Sequence, residues 1–362
     1  MAKKIQKFIE VAVSDLERSL ETLKNKVGES EQVHTSFSNH NMVVLSSYAR
    51  DEASDQALID HLIRVNPARF FLVVFAKVHP HGTYKISAKC ELVSKEEKIC
   101  SEIVKIECAS ESVVEVASVL RGHLLAGVSS DVFITDLDSL NENIAKHILT
   151  IADRVIYDGK DLKGLSKVSW IGKFCSNRID IEWLRLSSWR EAIRMLFEVP
   201  VIGNQVSRIK EVEVSCNFIK NEGQVLPLSA LHLAAWILGC LELEVSALGV
   251  DFYECRNSEG SVVKLRFKDQ DSNQGVSGVN IRFQDADRSN ISNLNLSSSA
   301  DKIICQMSGN SEFRTECLLK EHTSLELLER FFLVGTSVNQ YDAALRLSID
   351  IENLQKGYKF HH

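Results

Sequence analysis

The chain has 362 residues, of which 44% are hydrophobic and 25% are charged. These fractions are ordinary for a folded globular protein, and the length exceeds what one hydrophobic core usually fills, so we expect two domains. The formal net charge is −7. This acidic balance excludes nucleic acid as a main partner, because proteins that bind it usually carry a basic balance or a concentrated basic patch.

Signals for secretion and membrane insertion are weak. The amino terminus, MAKKIQKFIE, has no continuous apolar segment, so the sequence predicts no secretory signal. The most apolar run, residues 225–241, contains Pro227, Ser229 and His232 and is at the short limit for a membrane span. It predicts a buried helix that begins near Ser229. We therefore expect a cytoplasmic protein with no membrane partner.

The chain contains nine cysteines, an odd number, with no Cys-x-x-Cys pair. This pattern fits neither the disulfide framework of a small secreted protein nor the ligand spacing of a zinc site. Most of these thiols are expected to act as small hydrophobic side chains. A redox-sensitive pair remains open, and the sequence does not say which pair it is.

Hydrophobic periodicity in the first half predicts strands that alternate with helices. Ser14 and Glu17 match a capping box before the first helix. The predicted helices are 15–26, 55–66, 112–127 and 141–152, and the predicted strands are 41–49, 69–77, 84–93, 99–108, 130–137 and 153–159. Strands 84–93 and 99–108 alternate in polarity and predict an antiparallel pair. The order indicates an α/β domain, residues 1–165, with an open and mostly parallel or mixed sheet.

The pattern changes in the second half, and the boundary is expected near residues 161–173. Two helices, at 189–198 and 229–242, are followed by strand-like stretches at 249–256, 261–268, 278–284, 302–307 and 312–320. Turn-rich segments separate these stretches, among them residues 287–300, and a closing helix begins at Ser324. The order indicates an α+β domain, residues 166–362, with an antiparallel sheet.

Familiar catalytic and cofactor motifs are missing from the sequence. There is no glycine-rich phosphate loop, no G-x-S-x-G and no H-E-x-x-H. His79 and His81 could approach a metal but are better explained as loop residues. Asp136 and Asp138 follow a strand, where a Mg²⁺ site is possible, although capping or loop roles explain them without a ligand. We expect no cofactor, no metal and no catalytic residue.

Residues 180–200, DIEWLRLSSWREAIRMLFEVP, contain two of the four tryptophans. Ser188 and Glu191 match a second capping box, and the apolar spacing from Trp189 predicts a helix over 189–198 with Trp189 in the core. The preceding residues, 181–186, are expected to be extended. Arg185 and Arg190 are not required by capping or by amphipathic spacing.

This segment resembles the signature of the OpcA family, the glucose-6-phosphate dehydrogenase assembly proteins. ADRVIYDG at residues 152–159 precedes a D-x-x-W-x-R-L-x-x-W-R string by about twenty residues. The positions that match the string are Asp180, Trp183, Arg185, Leu186, Trp189 and Arg190. The order of segments fits most of residues 30–216, whereas the carboxy-terminal half is only weakly similar.

The resemblance implies a protein that is not an enzyme, and that binds glucose-6-phosphate dehydrogenase and promotes its active oligomer or its substrate affinity. Asp180, Trp183, Arg185, Trp189 and Arg190 are then candidate interdomain or partner-binding residues. Such a factor acts by binding one conformation or oligomer of its partner better than another. The alternative is a sensor or enzyme that holds a sugar phosphate or nucleotide at the strand ends of the α/β domain.

Overall fold

The computed structural model describes residues 8–359 apart from 29–33, 38–39, 48–49, 76–81, 93–96, 139, 161, 163, 219–225, 271–274, 285–290, 310–311, 321 and 335–337. The chain forms two compact units. The α/β unit comprises Met1–Asp158, Ser166–Asp180 and Ser324–Thr336. The β-sheet unit comprises Gly159–Leu165, Ile181–Thr323 and Ser337–His362.

The elements are numbered in chain order. The strands are β1 (Ile9–Val11), β2 (His34–Phe37), β3 (Asn41–Ser47), β4 (Arg69–Phe75), β5 (Thr83–Leu92), β6 (Glu97–Cys108), β7 (Ser130–Ile134), β8 (Arg154–Tyr157), β9 (Arg178–Asp180), β10 (Ile209–Cys216), β11 (Glu244–Leu248), β12 (Tyr253–Arg256), β13 (Val262–Asp269), β14 (Val276–Gln284), β15 (Ile291–Ser299), β16 (Lys302–Ser308) and β17 (Phe313–Leu318). The helices are α1 (Leu16–Gly28), α2 (Glu52–Val65), α3 (Val113–His123), α4 (Glu142–Ile148), α5 (Ser166–Phe174), α6 (Ile181–Arg185), α7 (Ser187–Glu198), α8 (Pro200–Gly203), α9 (Leu228–Cys240), α10 (Ser324–Val334) and α11 (Val338–Lys359).

The α/β unit is built on a mostly parallel sheet. Six mutually parallel strands lie in the order β6-β4-β3-β7-β8-β9. If these six strands are renumbered 1 to 6 in chain order, their order in the sheet is 3-2-1-4-5-6, which is that of the doubly wound Rossmann sheet. β5 continues the sheet antiparallel to β6, and β1 pairs antiparallel with β5. β3 is buried along its whole length, as expected for a parallel strand covered on both faces.

The β-sheet unit contains an eight-stranded sheet in the order β11-β12-β13-β10-β14-β15-β16-β17. Its pairs are antiparallel except for β10 and β13, which run parallel. Helix α9 packs against β10 and α11. The two-part fold class predicted from the sequence is therefore confirmed: an α/β unit with a mostly parallel sheet, and an α+β unit with a mostly antiparallel sheet.

The apolar run at residues 225–241 contains α9, a 13-residue helix that is buried along most of its length. The prediction of a buried helix beginning near Ser229 is confirmed. Among the helices that the structure describes, none combines the length and the apolar character needed to cross a membrane.

One predicted loop is a strand. Residues 291–299, which the many serines and asparagines placed in a turn-rich segment, form β15 in the interior of the sheet. Leu294 and Leu296 point into the core and are fully buried, whereas Asn293 and Asn295 lie on the other face. This alternation has the period of two that a strand requires, and the polar composition concealed it.

Both predicted capping boxes are wrong. Helix α7 begins at Ser187 with Leu186 as its N-cap, and no side chain caps it, because residues 181–185 already form helix α6 and not an extended segment. Glu191 instead pairs with Arg194. At the first helix, Ser14 lies inside a 3₁₀ turn, Val13–Asp15, whose N-cap is Ala12 and which no side chain caps. Glu17 accepts a hydrogen bond from Arg69, which lies far away in the sequence.

Most cysteines are small core residues, as the sequence predicts. Five free cysteines are buried: Cys108, Cys175, Cys216, Cys255 and Cys305. Cys90 and Cys100 face each other across β5 and β6 and form a disulfide. The structure thus identifies a bonded pair that the spacing of the cysteines left open.

Candidate functional site

Open doubly wound sheets bind ligands beyond the carboxyl ends of their strands, next to the point where the strand order reverses. In the α/β unit this point lies between β3 and β7. β3 leads into α2, so the first turn of α2 faces the position where such folds place a ligand. The candidate site is therefore built from the ends of β3, β4 and β6 and the start of α2.

The first turn of α2 is already occupied by carboxylates. Asp51 is the N-cap, and its Oδ1 accepts a hydrogen bond of 2.8 Å from the amide of Ser54. Hydrogen bonds from the hydroxyl and the amide of Ser54 lower the pKa of Asp51. Glu52 and Asp55 add two more acidic side chains to the same turn. An acid at this position is favourable, because a helix N-terminus carries partial positive charge.

These residues do not fit a dinucleotide. A Rossmann pyrophosphate site uses a glycine-rich turn, so that the phosphates reach the amides at the helix N-terminus. Residues 46–51 are Ser-Ser-Tyr-Ala-Arg-Asp, without glycine. A pyrophosphate placed here would meet Asp51 and Glu52, two carboxylates, where the fold normally offers free amides. We therefore derive no reaction step through a nicotinamide dinucleotide.

Beside this turn lies a cavity of about 180 Å³. Its walls come from the segment before β1, from the start of α2 and from the carboxyl-terminal halves of β4 and β6. Two positive and three negative side chains line it, together with one amide and three apolar side chains. The lining residues are Phe8, Arg50, Glu52, Asp55, Gln56, Leu72, Val74, Lys105 and Glu107.

The β6 wall of the cavity carries a network of ion pairs. Lys105 Nζ lies 2.6 Å from Glu52 Oε1 and 3.0 Å from Glu107 Oε1, and Lys85 Nζ lies 2.8 Å from Glu107 Oε2. Burial by itself lowers the pKa of Lys105, but its bonds to Glu52 and Glu107 outweigh this and raise it. Burial likewise raises the pKa of Glu107, but the two lysines reverse the effect and lower it to about 2.

The α2 wall presents a more buried acid. Asp55 is 4% exposed, accepts a hydrogen bond of 2.9 Å from Ser46 Oγ, and lies 2.8 Å from Arg50 Nε. Burial raises the pKa of Asp55, although Ser46 and Arg50 oppose the rise. A carboxyl group with a raised pKa beside a cavity is the kind of group that transfers protons to and from a ligand.

The other residues considered for metal binding are placed differently. Asp136 Oδ1 accepts a hydrogen bond from the amide of Asp138, and Asp138 pairs with Lys167 at 2.7 Å. Both aspartates therefore have the loop contacts that explain them without a ligand. In the described part of the chain no group of three or more His, Cys, Asp or Glu residues could hold a metal ion. His79 and His81 lie outside the described residues.

The structure distributes the signature residues over both units. Asp180 is fully buried at the end of β9 in the α/β unit. In the β-sheet unit, Trp183 is 2% exposed and the guanidinium carbon of Arg190 lies 3.6 Å above its ring. Arg185 pairs with Glu182 one helical turn away. Their predicted role, as interdomain or partner contacts, remains a proposal.

Trp183 belongs to an aromatic cluster that the sequence did not reveal. Its ring lies edge-on to His232, with 6.2 Å between centroids, and 5.6 Å from Tyr341. His232 is fully buried, and its Nδ1 lies 3.1 Å from Ser348 Oγ. Trp189 is also buried, in agreement with the predicted core position. These residues come from α6, α9 and α11. They lie too far apart in the sequence for helical periodicity to indicate that they are in contact.

No protein-family model matches the chain, and neither does any curated protein sequence. Solved structures do match. KijD10, a 3-ketoreductase from Actinomadura kijaniata in complex with NADP and TDP-benzene, has a TM-score of 0.46 and 11% identity, covering 88% of this chain and 98% of its own. An oxidoreductase domain protein from Kribbella flavida has a TM-score of 0.48 and 8% identity, covering 89% and 98%. A super-repressor mutant of Gal80p from Saccharomyces cerevisiae has a TM-score of 0.49 and 11% identity, covering 89% and 96%.

These findings correct the family and the function expected from the sequence. The predicted OpcA membership is wrong, because the chain is similar to oxidoreductases and Gal80p and matches no family model. The predicted assembly factor for glucose-6-phosphate dehydrogenase is wrong with it. So is the prediction that the chain is not an enzyme, since the similar structures include a ketoreductase. The D-x-x-W-x-R-L-x-x-W-R string is short, and its tryptophans pack in a core, a role that many unrelated helices share.

Proposed function

We propose that the α/β unit binds a small polyhydroxylated metabolite, of sugar-like chemistry, at the carboxyl ends of its parallel strands. The observation that carries this proposal is the cavity of about 180 Å³ lined by Arg50, Asp55, Lys105 and Glu107. It lies where doubly wound sheets place their ligands.

The charges of the cavity favour hydroxyl groups. Carboxylates accept hydrogen bonds from hydroxyls, and lysine and arginine donate to them, so alternating signs can satisfy a polyol on every side. Three negative and two positive side chains line the cavity, so a phosphate dianion would meet net repulsion. The volume also lies below the roughly 300–1,000 Å³ typical of sites for larger ligands. A single neutral sugar ring fits both the charge and the volume of the cavity better than a nucleotide does.

A second candidate is the reduction or oxidation of such a metabolite with a nicotinamide dinucleotide. The 3-2-1-4-5-6 strand order favours it, because this order is that of dinucleotide-binding folds. Asp51 and Glu52 at the start of α2 oppose it. In this case the dinucleotide would have to bind without using the amides of α2.

We also propose a cytoplasmic location. Seven of the nine cysteines are free, as a reducing compartment favours, and the Cys90–Cys100 disulfide is the exception. The net charge of −7 supports the further proposal that nucleic acid is not a partner.

Calorimetric titration against a panel of ligands tests the site. We expect glucose or a related neutral sugar to bind more tightly than glucose 6-phosphate, ATP or NADP. Lys105→Met and Asp55→Asn should each weaken that binding by about tenfold, since each removes one charged hydrogen bond of roughly 1.5 kcal/mol. The matched control is Lys302→Met, which removes an exposed lysine of the β-sheet unit paired with Glu316 at 2.9 Å.

Three outcomes of that titration would count against the proposal. Equal affinities of the wild type and both cavity variants would place the ligand elsewhere. Preferred binding of NADP, insensitive to Asp55→Asn, would favour the oxidoreductase candidate. Loss of sugar binding in Lys302→Met would show that the effect is not specific to the cavity.

Acid should destabilise the α/β unit in part through Glu107. Its pKa is lowered from 4.5 to about 2, so its stabilising contribution is complete above about pH 4.5 and disappears as the pH falls towards 2. We expect the melting temperature of Glu107→Gln to depend less on pH between 4.5 and 2 than that of the wild type. Glu111→Gln, which changes an exposed glutamate, is the control. Parallel pH profiles of the wild type and Glu107→Gln would contradict the expectation.

A further inference from the structure

Three polar residues meet at the amino edge of the parallel sheet, opposite the edge that holds the cavity. His40 directly precedes β3, Ser129 directly precedes β7, and Asp131 is the second residue of β7. The two strands pair with Asn41 opposite Ser130, so His40 and Ser129 stand at neighbouring strand starts. The strand register therefore brings together residues about ninety positions apart, which no local motif in the sequence reveals.

The three side chains form a continuous hydrogen-bonded chain. Ser129 Oγ lies 2.9 Å from His40 Nδ1, and His40 Nε2 lies 3.0 Å from Asp131 Oδ2. Arg154 donates to both carboxylate oxygens of Asp131, with its Nε 2.9 Å from Oδ1. An ionised carboxylate only accepts hydrogen bonds, so Nε2 of the neutral imidazole carries the proton. His40 Nδ1 is then an acceptor, and the hydroxyl of Ser129 donates to it.

Solvent exposure increases from Asp131 through His40 to Ser129. The side chain of Asp131 is 2% exposed and that of His40 is 14% exposed, whereas Ser129 is open to solvent. A buried acid, a partly covered base and an accessible hydroxyl are the arrangement of serine nucleophiles, which are recognised by geometry and not by sequence order. Here the two imidazole nitrogens have exchanged the roles that they take in the best-known examples.

The segment that carries Ser129 is anchored by Asn41. The amide of Asn41 donates to the carbonyl oxygen of Ser129 at 3.0 Å. The Asn41 side chain donates to the carbonyl oxygen of Leu125 at 3.0 Å and accepts from the Leu125 amide at 2.9 Å. Between them Gly127 adopts a φ of +77°, which lets the chain turn back to β7. The hydroxyl is thus held in place before any substrate arrives.

We infer that Ser129, His40 and Asp131 form a nucleophilic triad that hydrolyses small activated esters at the amino edge of the α/β unit. Ser129 Oγ bonds to the ester carbonyl carbon while its proton passes to His40 Nδ1. The bond from that carbon to the alcohol oxygen breaks, and the alcohol leaves with the proton. Water then gives a proton to the same nitrogen and attacks the acyl group. Release of the carboxylic acid restores the hydroxyl of Ser129, and nothing is oxidised or reduced.

Arg154 is expected to limit the rate of ester hydrolysis by this triad. Its guanidinium neutralises part of the negative charge of Asp131 and also packs over Phe331, 4.6 Å from the ring centroid. The carboxylate is therefore firmly oriented but stabilises an imidazolium less than an unpaired carboxylate would. We expect slow turnover that is confined to esters with good leaving groups. Arg154 is a positioning residue here, because it acts through Asp131.

A fluorophosphonate probe and the hydrolysis of p-nitrophenyl acetate test the triad in the full-length protein. The wild type should become labelled on the peptide that contains Ser129. Ser129→Ala should abolish this label and lower the hydrolysis rate at least tenfold. Ser118→Ala is the matched control, because Ser118 is an exposed serine whose hydroxyl donates to the carbonyl of Val114 in its own helix. It should behave like the wild type in both assays.

His40→Gln separates the nucleophile from its base. It keeps Ser129 but removes the proton acceptor, so labelling should slow by at least tenfold even though the hydroxyl remains.

Circular dichroism and melting curves of each variant check that the fold is kept. Ser129→Ala deletes one exposed hydroxyl and should not alter the fold. Absence of label in the wild type, or equal labelling of Ser129→Ala, would overturn the inference and leave a hydrogen-bonded link between strand starts. Sugar binding at the cavity should be unchanged in Ser129→Ala.

Discussion

Replacing Arg69 by methionine should lower the free energy of unfolding of the α/β unit by about 3–5 kcal/mol, the usual cost of leaving one partner of a buried ion pair uncompensated. Arg69 opens β4 directly opposite Glu102 of β6, and both side chains are 6% exposed. Its Nε lies 2.6 Å from Glu102 Oε2, and its Nη1 donates to Glu17 and to the carbonyl of His123. One guanidinium thus joins two strands, α1 and the end of α3.

Hydrogen exchange measured by mass spectrometry is the suitable readout, because it reports on each unit separately. Protection should fall in the peptides that cover β4 and β6 and remain unchanged in those of β14 to β16. Arg194→Met is the control, since Arg194 pairs with Glu191 and Glu198 on the exposed face of α7, and we expect no measurable change. Wild-type protection in Arg69→Met would mean that the network adds nothing to stability.

Trp183→Ala is expected to destabilise the β-sheet unit by about 3–5 kcal/mol, as is typical when a buried aromatic side chain is truncated. Trp183 is 2% exposed and contacts His232 and Tyr341, so its loss opens a cavity between α6, α9 and α11. Guanidinium unfolding, followed by exchange protection of the α9 and α11 peptides, measures the effect. Trp236→Ala, at a half-buried position of α9, should cost less.

Arg190→Met distinguishes the contribution of Trp183 from that of its cation–π partner. Burial lowers the pKa of Arg190 from 12.5 to about 10, which corresponds to roughly 3 kcal/mol of unfavourable desolvation. Stacking on Trp183 stabilises the guanidinium by about 2 kcal/mol and so offsets most of this cost. Arg190 Nη1 is buried without a hydrogen-bond acceptor among the described residues. Arg190→Met should therefore be about as stable as the wild type, or slightly more stable. A loss comparable to that of Trp183→Ala would show that Arg190 makes a contact of its own, as its proposed interdomain or partner role requires.

Much of the architecture could be predicted from local pattern. The run at residues 69–77, which lacks polar alternation and became β4, indicated a strand covered on both faces, and the alternation of strands with helices indicated a parallel sheet. Predictions failed where composition and periodicity disagreed. β15 was hidden by its serines and asparagines, and α6 was too short to show a helical period. The D-x-x-W-x-R-L-x-x-W-R string led to the wrong family, because Trp183 and Trp189 are core residues and apolar core spacing is common to many unrelated helices.

The candidate sites depended much less on local pattern. The sequence contains no glycine-rich phosphate turn, and in the structure Asp51 and Glu52 stand at the start of α2. It did not reveal the pairing of Lys105 with Glu52, because those residues lie on elements that meet only after the sheet has formed.

By itself the sequence determined the main strands and helices of the α/β unit and how apolar their faces are, because these properties depend on residues a few positions apart. Only the tertiary structure decided that His40 would stand beside Ser129, or Arg69 beside Glu102. These two contacts follow from the order and register of the strands. Order and register depend on the burial of whole strands, and therefore on many contacts between residues distant in the sequence. A register shift of one residue in β7 would separate Ser129 from His40 while leaving the composition of both strands unchanged.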